Sequence, residues 1–403
     1  MELRIAQQGL CPAPRSLRPD GPVTDVLLVG GGHTHLAALA PLAERARRAG
    51  QLRLRLVAPQ PRWLYSGMMP GWVAGQYAER DCAIDLAALA ASLGVDWVCE
   101  RIVDIDFARR CAVGASGRRL PYDLLSINVG ADARLGDGRA DAHCRVLGAK
   151  PVADFAAGWK DGRARVGTRA RLVVAGGGAA GFELACALRA HAGPEASVTL
   201  LAPEAPLAGS GPLVRRAAGA SLARLRIDLI TGWRYVGVDG CRLRLQPVRS
   251  GALHEPPAVE FDLAVIATGA APAAWLAHAA RRGGLAVGAD GGLQVDATLR
   301  SVSDPAVFAG GDCASFVSAM PRSGVHALRQ GPVLAASLAA AAGLSPAAAP
   351  RGYRPRLRTL ALLNRCDGTA LAVWGPLAAS GGWAWRWKDR IDRRFMARFA
   401  QPR

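Results

Sequence analysis

Short apolar runs that end at glycine and lead into helical patterns occur twice along the chain. The first run covers residues 25–29 and is followed by three glycines and a helical pattern over residues 34–50. A strand pattern over residues 52–57 completes a βαβ unit. The second occurrence has the same order of strand, helix and strand, at residues 171–175, 180–192 and 197–201. The spacing predicts two α/β modules of similar design.

Each module closes with an apolar run that carries an early aspartate and ends at glycine. These runs cover residues 122–130 and 261–269. Within the first module, the pattern also predicts a helix over residues 86–92 and a strand over residues 97–104. A further apolar run at residues 307–313 follows the second module and ends at an acid. The chain therefore repeats one design and then adds a third strand element.

The two glycine turns, at residues 30–32 and 176–178, are the clearest chemical signal. Glycine lacks the Cβ that would hold a pyrophosphate away from the backbone, and the next helix offers its first N–H groups to the anion. A single turn of this kind also fits close packing of a strand and a helix. Two of them predict two bound nucleotides.

Composition narrows the class of protein. The chain is 51% hydrophobic and 20% charged, which fits a globular protein of two or three domains. Its net charge of +18 comes from arginines scattered from end to end, so we expect no nucleic-acid partner.

An uncharged, alanine-rich stretch at residues 330–350 is interrupted by proline and glycine and predicts a buried helix followed by a loop. Residues 1–24 lack the apolar core of a signal peptide.

The nine cysteines are far apart and contain no Cys-x-x-Cys pattern. This spacing indicates neither a metal site nor a redox dithiol, and a reducing, cytoplasmic compartment is the default expectation.

Four motifs in this order resemble the pyridine nucleotide-disulfide oxidoreductase superfamily of flavoproteins with two dinucleotide-binding domains. They are the first glycine turn, the second glycine turn with Glu183 after it, Ala267-Thr268-Gly269, and Gly311-Asp312. Within that superfamily the chain is similar to type II NADH dehydrogenases. Residues 30–35, 65–71 and 387–396 resemble most closely the NADH-dehydrogenase-like proteins that are often fused to selenide, water dikinase.

The resemblance implies an α/β fold with two Rossmann-like, three-layer dinucleotide-binding domains, the second inserted in the first, and a C-terminal segment. The implied division begins with an extension at residues 1–24. A split FAD-binding domain covers residues 25–150 and 285–345, and the NAD(P)H-binding domain between its parts covers residues 151–284. The C-terminal segment covers residues 346–403. FAD and NAD(P)H are the implied cofactors. The implied cofactor-binding residues are Gly30, Gly31, Gly32, His33, Thr34, His35, Gly130, Gly176, Gly178, Gly181, Thr268, Gly269, Gly311 and Asp312.

Three further side chains are candidates for a catalytic role. Glu183 would hold the nicotinamide or its ribose, or would simply complement the helix dipole. His326 and Gln330 lie four residues apart, on one face of a helix whose N-terminus points at the flavin in the resembling family. They would line the flavin or the acceptor pocket, or pack at a domain boundary.

The chain departs from the family pattern at several positions. His35 replaces the third glycine of the first turn, which puts close packing of strand and helix in doubt. The acid expected to bind an adenosine ribose is absent after both second strands, so NADH is not favoured over NADPH. Arg215 or Arg216 would meet a 2′-phosphate, or lie on a solvated helix face.

The C-terminal segment carries a stripe of large apolar residues with cations beside it, at Trp383, Trp387, Ile391, Phe395 and Phe399. Such a helix would lie in a membrane interface and give access to quinone, or would pack its stripe on the FAD domain. Asp389 and Asp392 among the arginines argue against the membrane.

We therefore expect an FAD-dependent NAD(P)H dehydrogenase that passes electrons to a quinone-like acceptor, cytoplasmic or peripheral on the inner face of the membrane. The missing Cys-x4-Cys argues against a disulfide reductase. Cys144 and Cys366 leave open the oxidation of a sulfur or selenium compound, as in sulfide:quinone reductases. A non-catalytic flavin-binding partner of selenide, water dikinase is the third hypothesis. The pattern does not predict an oligomeric state.

Overall fold

The computed structural model describes residues 23–164, 166–249, 255–316, 323–344, 350–356 and 359–399. The predicted N-terminal extension, apart from its last two residues, and the predicted loop at residues 345–349 lie outside this part of the chain. The described chain forms two compact units. The first unit contains Met1–Trp63, Asp85–Ala131 and Ala271–Pro355, and the second contains Leu64–Ile84, Asp132–Ala270 and Arg356–Arg403.

Helices and strands alternate in both units. Within the described residues the α-helices are α1 (His33–Ala49), α2 (Met69–Val73), α3 (Leu86–Ser92), α4 (Val152–Arg163), α5 (Ala179–His191), α6 (Pro212–Arg224), α7 (Ala274–Arg282), α8 (Gly324–Ala341) and α9 (Gly382–Ala397). Short 3₁₀ helices cover Ser66–Met68, Glu79–Cys82 and Gly311–Cys313.

The strands of the first half of the chain are β1 (Thr24–Val29), β2 (Leu52–Ala58), β3 (Arg62–Leu64), β4 (Ala83–Asp85), β5 (Asp96–Cys99), β6 (Ile102–Asp106), β7 (Cys111–Gly114), β8 (Arg119–Pro121), β9 (Leu124–Ile127), β10 (Ala131–Ala133), β11 (Arg145–Gly148), β12 (Arg171–Ala175) and β13 (Ser197–Leu201). Those that follow are β14 (Asp228–Ile230), β15 (Trp233–Asp239), β16 (Arg242–Pro247), β17 (Leu263–Ile266), β18 (Ala270–Pro272), β19 (Leu293–Val295), β20 (Val307–Ala309), β21 (Ala314–Phe316), β22 (Leu360–Asn364), β23 (Ala370–Trp374) and β24 (Leu377–Gly381).

A parallel sheet with the strand order β20-β9-β1-β2-β5 is the centre of the first unit. The strand β1 is buried over its last four residues, as a parallel strand covered by helices on both faces requires. The helix α1 packs on α8 on one side of this unit, and α7 packs on the antiparallel sheet β6-β7-β8. Gly50 ends α1 in the left-handed conformation, at φ 68°.

The second unit repeats this design with a parallel sheet of order β11-β17-β12-β13-β14. Its helix α5 is apolar and packs on β12 and β13. The antiparallel hairpin of β15 and β16 belongs to the same unit. So do the antiparallel sheet β22-β23-β24 and α9, which begins directly after it.

The α/β class and the repeated βαβ design are confirmed. The strand predicted over residues 97–104 is wrong, because two strands, β5 and β6, share this stretch. The buried helix predicted from residue 330 is present as α8 but begins at Gly324, before the alanine-rich stretch. The predicted domain boundaries stay predictions, since compact packing does not assign a cofactor. Among the described residues, no helix is long and apolar enough to span a bilayer.

Candidate functional site

The first glycine turn joins β1 to α1 and lies against the end of β9. Gly30 has a φ of +95°, and a Cβ added there would overlap the carbonyl group of Asn128. A Cβ on Gly32 would overlap the side-chain oxygen of Asn128, and one on Gly31 would lie 2.6 Å from a methyl group of Leu86. Gly30 is therefore required by the close approach of the Asn128 backbone, and Gly31 and Gly32 lie against side chains of the first unit.

Asn128 organises this turn, and the sequence analysis missed it. Its buried side-chain oxygen accepts hydrogen bonds from the backbone N–H groups of Thr34, at 3.0 Å, and His35, at 3.2 Å. Its side-chain nitrogen donates to the carbonyl oxygen of Gly310 at 2.7 Å. An amide inside an otherwise apolar strand pattern was the available signal, because a buried amide needs partners.

His35 occupies the place of the third glycine without disturbing the strand and the helix. Its ring is buried, with Nδ1 donating to the carbonyl oxygen of Gly30 at 2.6 Å. Because a carbonyl only accepts, Nε2 is the unprotonated nitrogen and accepts from the hydroxyl of Ser126 at 2.8 Å. Burial lowers the pKa of His35 to about 4, so the ring is neutral at neutral pH. The expected loosening at His35 is wrong.

The turn with Asp312 lies beside the first glycine turn, although the two are far apart in sequence. The strand β20 pairs with β9, so its carboxyl end meets the same sheet edge as that of β1. The buried side-chain oxygen of Gln330 accepts from the backbone N–H of Gly311 at 2.7 Å, and the hydroxyl of Thr34 lies 3.4 Å from it. Gln330 therefore holds two turns together. The structure gives it a positioning role, and its predicted catalytic role stays a prediction.

The N-terminus of α8 faces the first glycine turn within the same unit. A Cβ added to Gly324 would lie 3.3 Å from the ring of His33, and that ring packs edge-on against Trp63. His326 is buried, and its Nδ1 forms a 2.6 Å hydrogen bond with the hydroxyl of Tyr353. Burial and the nearby Arg329 lower the pKa of His326.

Gly130, which follows β9, is the last of the cofactor-binding residues predicted in the first unit. Its φ is +83°, and its carbonyl oxygen accepts from the thiol of Cys313 at 3.3 Å. The structure thus collects the predicted residues of this unit at the carboxyl ends of β1, β9 and β20. That edge is where open α/β sheets bind ligands.

The second glycine turn joins β12 to α5. Gly176 has a φ of +129° and packs on the backbone of Ala267 and Thr268. A Cβ on Gly181 would overlap the carbonyl oxygen of Gly176, so this third glycine is needed for close packing of helix and strand. Around Gly178 and Gly269, no described atom would lie within 4 Å of an added Cβ.

Glu183, in the second turn of α5, is tied to β22 of the same unit. Its carboxylate accepts a 2.7 Å hydrogen bond from the backbone N–H of Asn364, whose side-chain amide donates to Gln76. Burial raises the pKa of Glu183, and the charge of Lys388 partly offsets this effect. Its predicted contact with the nicotinamide or its ribose stays a prediction.

Lys388 is the cation of a buried charge cluster that the sequence analysis did not predict. Its side-chain nitrogen donates to the carbonyl oxygen of Gly67 at 2.8 Å and to Asp392 at 2.9 Å. The hydroxyl of Tyr65 donates to the other oxygen of Asp392 at 3.2 Å. Burial lowers the pKa of Lys388, but Glu183 and Asp392 outweigh this effect and raise it. One ammonium group thus acts on two carboxylates whose pKa values are raised by burial.

The apolar stripe predicted along α9 does not coincide with the buried face of this helix. Trp383, Trp387 and Ile391 are 46%, 45% and 44% exposed, whereas the buried positions are Ala384, Lys388, Asp392 and Phe395. The stripe as a whole is therefore not the packed face of α9. The helix packs on β22-β23-β24 and, through Phe395 and Asp392, on Tyr65. Residues 65–71 and 387–396, the two stretches most specific to the resembling proteins, are thus in contact.

The cysteines do not follow the predicted pairing. Cys144 forms a disulfide with Cys241, 97 residues away, so the pairing of Cys144 with Cys366 is wrong. The sequence separation explains why no short motif signalled the bond. Cys366 is a buried thiol 3.6 Å from the carbonyl oxygen of Pro70, and burial raises its pKa well above the usual value. It is therefore a poor nucleophile.

The residues of both turns fit a dinucleotide. Neither α1 nor α5 has an acidic side chain in its first turn, so each N-terminus favours an anion. No described atom crowds Gly178 at the start of α5, so its backbone is open to a ligand. In the first unit, Asn128 accepts from the N–H groups of Gly32, Thr34 and His35, so an anion would meet the turn at other backbone groups.

Comparison with known protein families supports this arrangement. The family model described as pyridine nucleotide-disulphide oxidoreductase matches residues 24–331. The chain belongs to this family. This oxidoreductase is an FAD-dependent enzyme, with FAD and NAD(P)H as its cofactors. No curated protein matches the sequence.

Solved structures of low identity share the fold of this oxidoreductase. The sulfide:quinone oxidoreductase of Aquifex aeolicus has a TM-score of 0.75 at 16% identity, over 94% of this chain and 91% of that one. NDH2 of Plasmodium falciparum in complex with NADH has a TM-score of 0.73 at 13% identity, over 92% and 97%. An NAD-dependent persulfide reductase of A. fulgidus has a TM-score of 0.69 at 21% identity, over 87% and 64%.

Proposed function

We propose that this oxidoreductase is an NAD(P)H dehydrogenase whose electron acceptor is a quinone. The observation that carries the proposal is the pair of glycine turns, one in each compact unit, with the Asp312 turn packed beside the first. In this assignment the first unit binds FAD and the second binds NAD(P)H. FAD, when bound, takes a hydride from the nicotinamide and returns the electrons to a second acceptor.

The residues of the first unit position the cofactor. Asn128 and Gln330 fix the two backbone turns, and the neutral ring of His35 fills the space beneath them. Asp312 is proposed to accept a hydrogen bond from the ribityl chain, since a carboxylate takes hydroxyl donors in short bonds. The N-terminus of α8 is proposed to stabilise negative charge on the flavin.

Quinone reduction by NAD(P)H consumes one proton in addition to the hydride. We assign the storage of this proton to the cluster of Glu183, Lys388 and Asp392, because Lys388 pairs with Asp392 and its charge also acts on Glu183, so one ammonium group serves two carboxylates. The two family-specific stretches meet at this cluster, because Lys388 and Asp392 of residues 387–396 bind Gly67 and Tyr65 of residues 65–71. This gives a chemical reason for their occurrence together.

The exposed apolar face of α9 supports an acceptor that is dissolved in a membrane. Trp383, Trp387 and Ile391 are exposed, and Arg386 and Arg390 lie exposed on the same helix. The two aspartates that argued against a membrane face the protein, since Asp392 is buried and Asp389 accepts from Tyr77 at 2.8 Å. Aromatic anchors with cations are typical of helices that lie in the interface. We propose that α9 docks the enzyme on anionic lipid.

The name of one structural neighbour, sulfide:quinone oxidoreductase, contains an acceptor of this class, and another neighbour, NDH2, is solved in complex with NADH. Oxidation of sulfide through Cys144 and Cys366 is not proposed, because Cys144 is bonded to Cys241. The association with selenide, water dikinase stays a prediction from the resemblance of residues 65–71 and 387–396.

Steady-state oxidation of NADH and NADPH in the presence of a soluble short-chain quinone tests the proposal. We expect turnover that depends on the quinone and falls at least about tenfold in Asp312→Ala. Asp290→Ala, a substitution in another turn of the same unit, is the matched control. Oxidation that is unchanged by omitting the quinone under anaerobic conditions would contradict the assigned acceptor.

A further inference from the structure

Four side chains with metal-binding chemistry meet at one point of the second unit, away from both glycine turns in sequence. They are Asp141, His143, Cys144 and Cys241. The ligand atoms of Asp141, His143 and Cys241 all lie within 4.8 Å of one another. Cys144 forms a disulfide with Cys241, so the sulfur of Cys144 belongs to the same cluster. The proposed dehydrogenase function makes no use of this cluster.

The backbone brings these residues together from two separate segments. Residues 137–144 run along the hairpin of β15 and β16, and Asp137 exchanges backbone hydrogen bonds with Val236 and Val238. The backbone N–H of Gly240, in the hairpin turn, donates to Arg139. A Cβ on Gly240 would lie 2.9 Å from the carboxylate of Asp141, so glycine leaves room for that carboxylate. Both segments are thus built to meet at the four side chains.

The spacing of the ligand atoms approaches that of a tetrahedral site. Nε2 of His143 is 3.1 Å from the sulfur of Cys241, and a carboxylate oxygen of Asp141 is 4.0 Å from it. With zinc–sulfur bonds of about 2.3 Å and zinc–nitrogen bonds of about 2.0 Å, a tetrahedron places sulfur and nitrogen about 3.5 Å apart. A disulfide by itself needs neither an imidazole nor a carboxylate. Their presence points to a second state of the two sulfurs.

We propose that the reduced protein binds one Zn²⁺ ion through Cys144, Cys241, His143 and Asp141, and that the disulfide is the metal-free state of the same site. Two thiolates, an imidazole and a carboxylate are zinc ligands, whereas Mg²⁺ and Ca²⁺ prefer oxygen alone. Each sulfur bonds either to the other sulfur or to the metal, so the two states exclude each other.

The interconversion balances with a thiol reductant. Two reductant thiols give two electrons and two protons to the disulfide and become a disulfide themselves, while Cys144 and Cys241 become thiols. Binding of Zn²⁺ then displaces one proton from each thiol to solvent. In both states the link ties the β15–β16 hairpin to β11, because Cys144 directly precedes Arg145, the first residue of that strand.

Metal analysis of the full-length, FAD-loaded protein without a histidine tag tests the proposal. The protein is reduced with a phosphine, freed of reductant under argon, dialysed against Zn²⁺ and studied by X-ray absorption at the zinc edge. We expect one Zn²⁺ per chain with two sulfur neighbours at about 2.3 Å. The same protein kept oxidised should retain none and serves as a folded control.

Variants assign the ligands. Cys241→Ser and His143→Asn should each weaken zinc binding at least about tenfold, and Cys241→Ser should leave one sulfur neighbour at most. His143 is exposed, so His143→Asn should fold even if a cysteine variant does not. The control is Cys99→Ser, which removes an exposed free cysteine and should not change zinc uptake. Equal uptake by the oxidised and reduced proteins, or uptake unchanged in His143→Asn, would overturn the proposal. Neither result bears on quinone reduction.

Discussion

The carbonyl oxygen of Gly30 accepts a hydrogen bond from the ring of His35 at 2.6 Å. In the second glycine turn, the carbonyl oxygen of Gly176 instead packs directly on Gly181, where a Cβ would not fit. The two turns therefore solve the same packing problem in two ways. In the second turn, Gly181 brings the helix close to the strand. In the first turn, the buried neutral ring of His35 fills the same space and forms two hydrogen bonds.

We expect His35→Ala to destabilise the first unit by about 2–4 kcal/mol, because it leaves a cavity and two buried polar groups without their partner. Thermal unfolding of the FAD-loaded protein, followed by release of flavin fluorescence, measures the effect. His278→Ala removes an exposed histidine of α7 in the same unit and should have little effect. An unchanged unfolding temperature in His35→Ala would contradict the role assigned to the ring.

The lowered pKa of His35 predicts how the stability of the protein changes with pH. The pKa of His35 is lowered from 6.5 to about 4, so the unfolded chain binds a proton in this interval and the folded chain does not. Stability from this residue is fully present above pH 6.5 and is lost as the pH falls towards 4. At about 1.4 kcal/mol per pH unit, the loss amounts to about 3 kcal/mol. This part of the acid sensitivity should be missing in His35→Ala.

Asn128→Asp should weaken FAD binding by at least about tenfold. The substitution replaces the donor to Gly310 by an acceptor and places a negative charge at the turn proposed to hold the pyrophosphate. The FAD content of the purified protein and titration with FAD measure the effect. Gln246→Glu, which introduces a charge at an exposed position of β16, is the control. Full FAD occupancy in Asn128→Asp would contradict the position given to this amide.

The sequence was sufficient for the repeated design because periodicity and glycine turns are local features. The residues that join distant segments were not predictable in the same way. Asn128 binds Gly310, 182 residues later, and Gln330 lies beside Thr34, 296 residues earlier, and no short pattern marks such contacts. The pairing of Cys144 with Cys241 depends on a hairpin that folds back on residues 137–144.

The buried face of α9 could not be predicted from the helix alone, for a physical reason. Packing of the aromatic stripe against the protein was one of two alternatives, since large apolar side chains favour the interior. The protein instead buries Lys388 and Asp392, which become compatible with the interior by pairing with each other and with Tyr65 and Glu183. Two of these partners lie some 200 to 300 residues earlier in the chain, so the sequence of the helix alone does not show them.

Lys388→Met should destabilise the packing of α9 by about 3–5 kcal/mol, since it leaves the carboxylates of Glu183 and Asp392 buried without a cation. Burial raises the pKa values of Glu183 and Asp392, so protonation of these carboxylates at lower pH relieves the loss of stability. The loss of stability in Lys388→Met should therefore be larger at pH 7 than at pH 5. Hydrogen exchange of the α9 backbone amides, at both pH values, measures this loss of stability. Arg390→Met, at an exposed position of the same helix, should exchange like the wild type. Equal protection in Lys388→Met would contradict the cluster.

The double substitution Trp383→Ser and Trp387→Ser should weaken binding to anionic lipid vesicles by about tenfold or more without lowering stability, because both side chains are exposed. Co-sedimentation with vesicles that contain an anionic phospholipid measures the binding. The control is Trp374→Ser, an exposed tryptophan on β23 outside the helix. If the double variant sediments like the wild type, α9 is not the docking surface.

Anaerobic rapid mixing tests the central claim most directly. The FAD-loaded protein is mixed with NADH or NADPH, the flavin absorbance is followed, and a soluble quinone is added in a second mix. We predict that the absorbance bleaches with at least one of the two nucleotides and returns on addition of quinone. Absence of bleaching with both nucleotides would contradict the account, as would bleached flavin that quinone does not reoxidise.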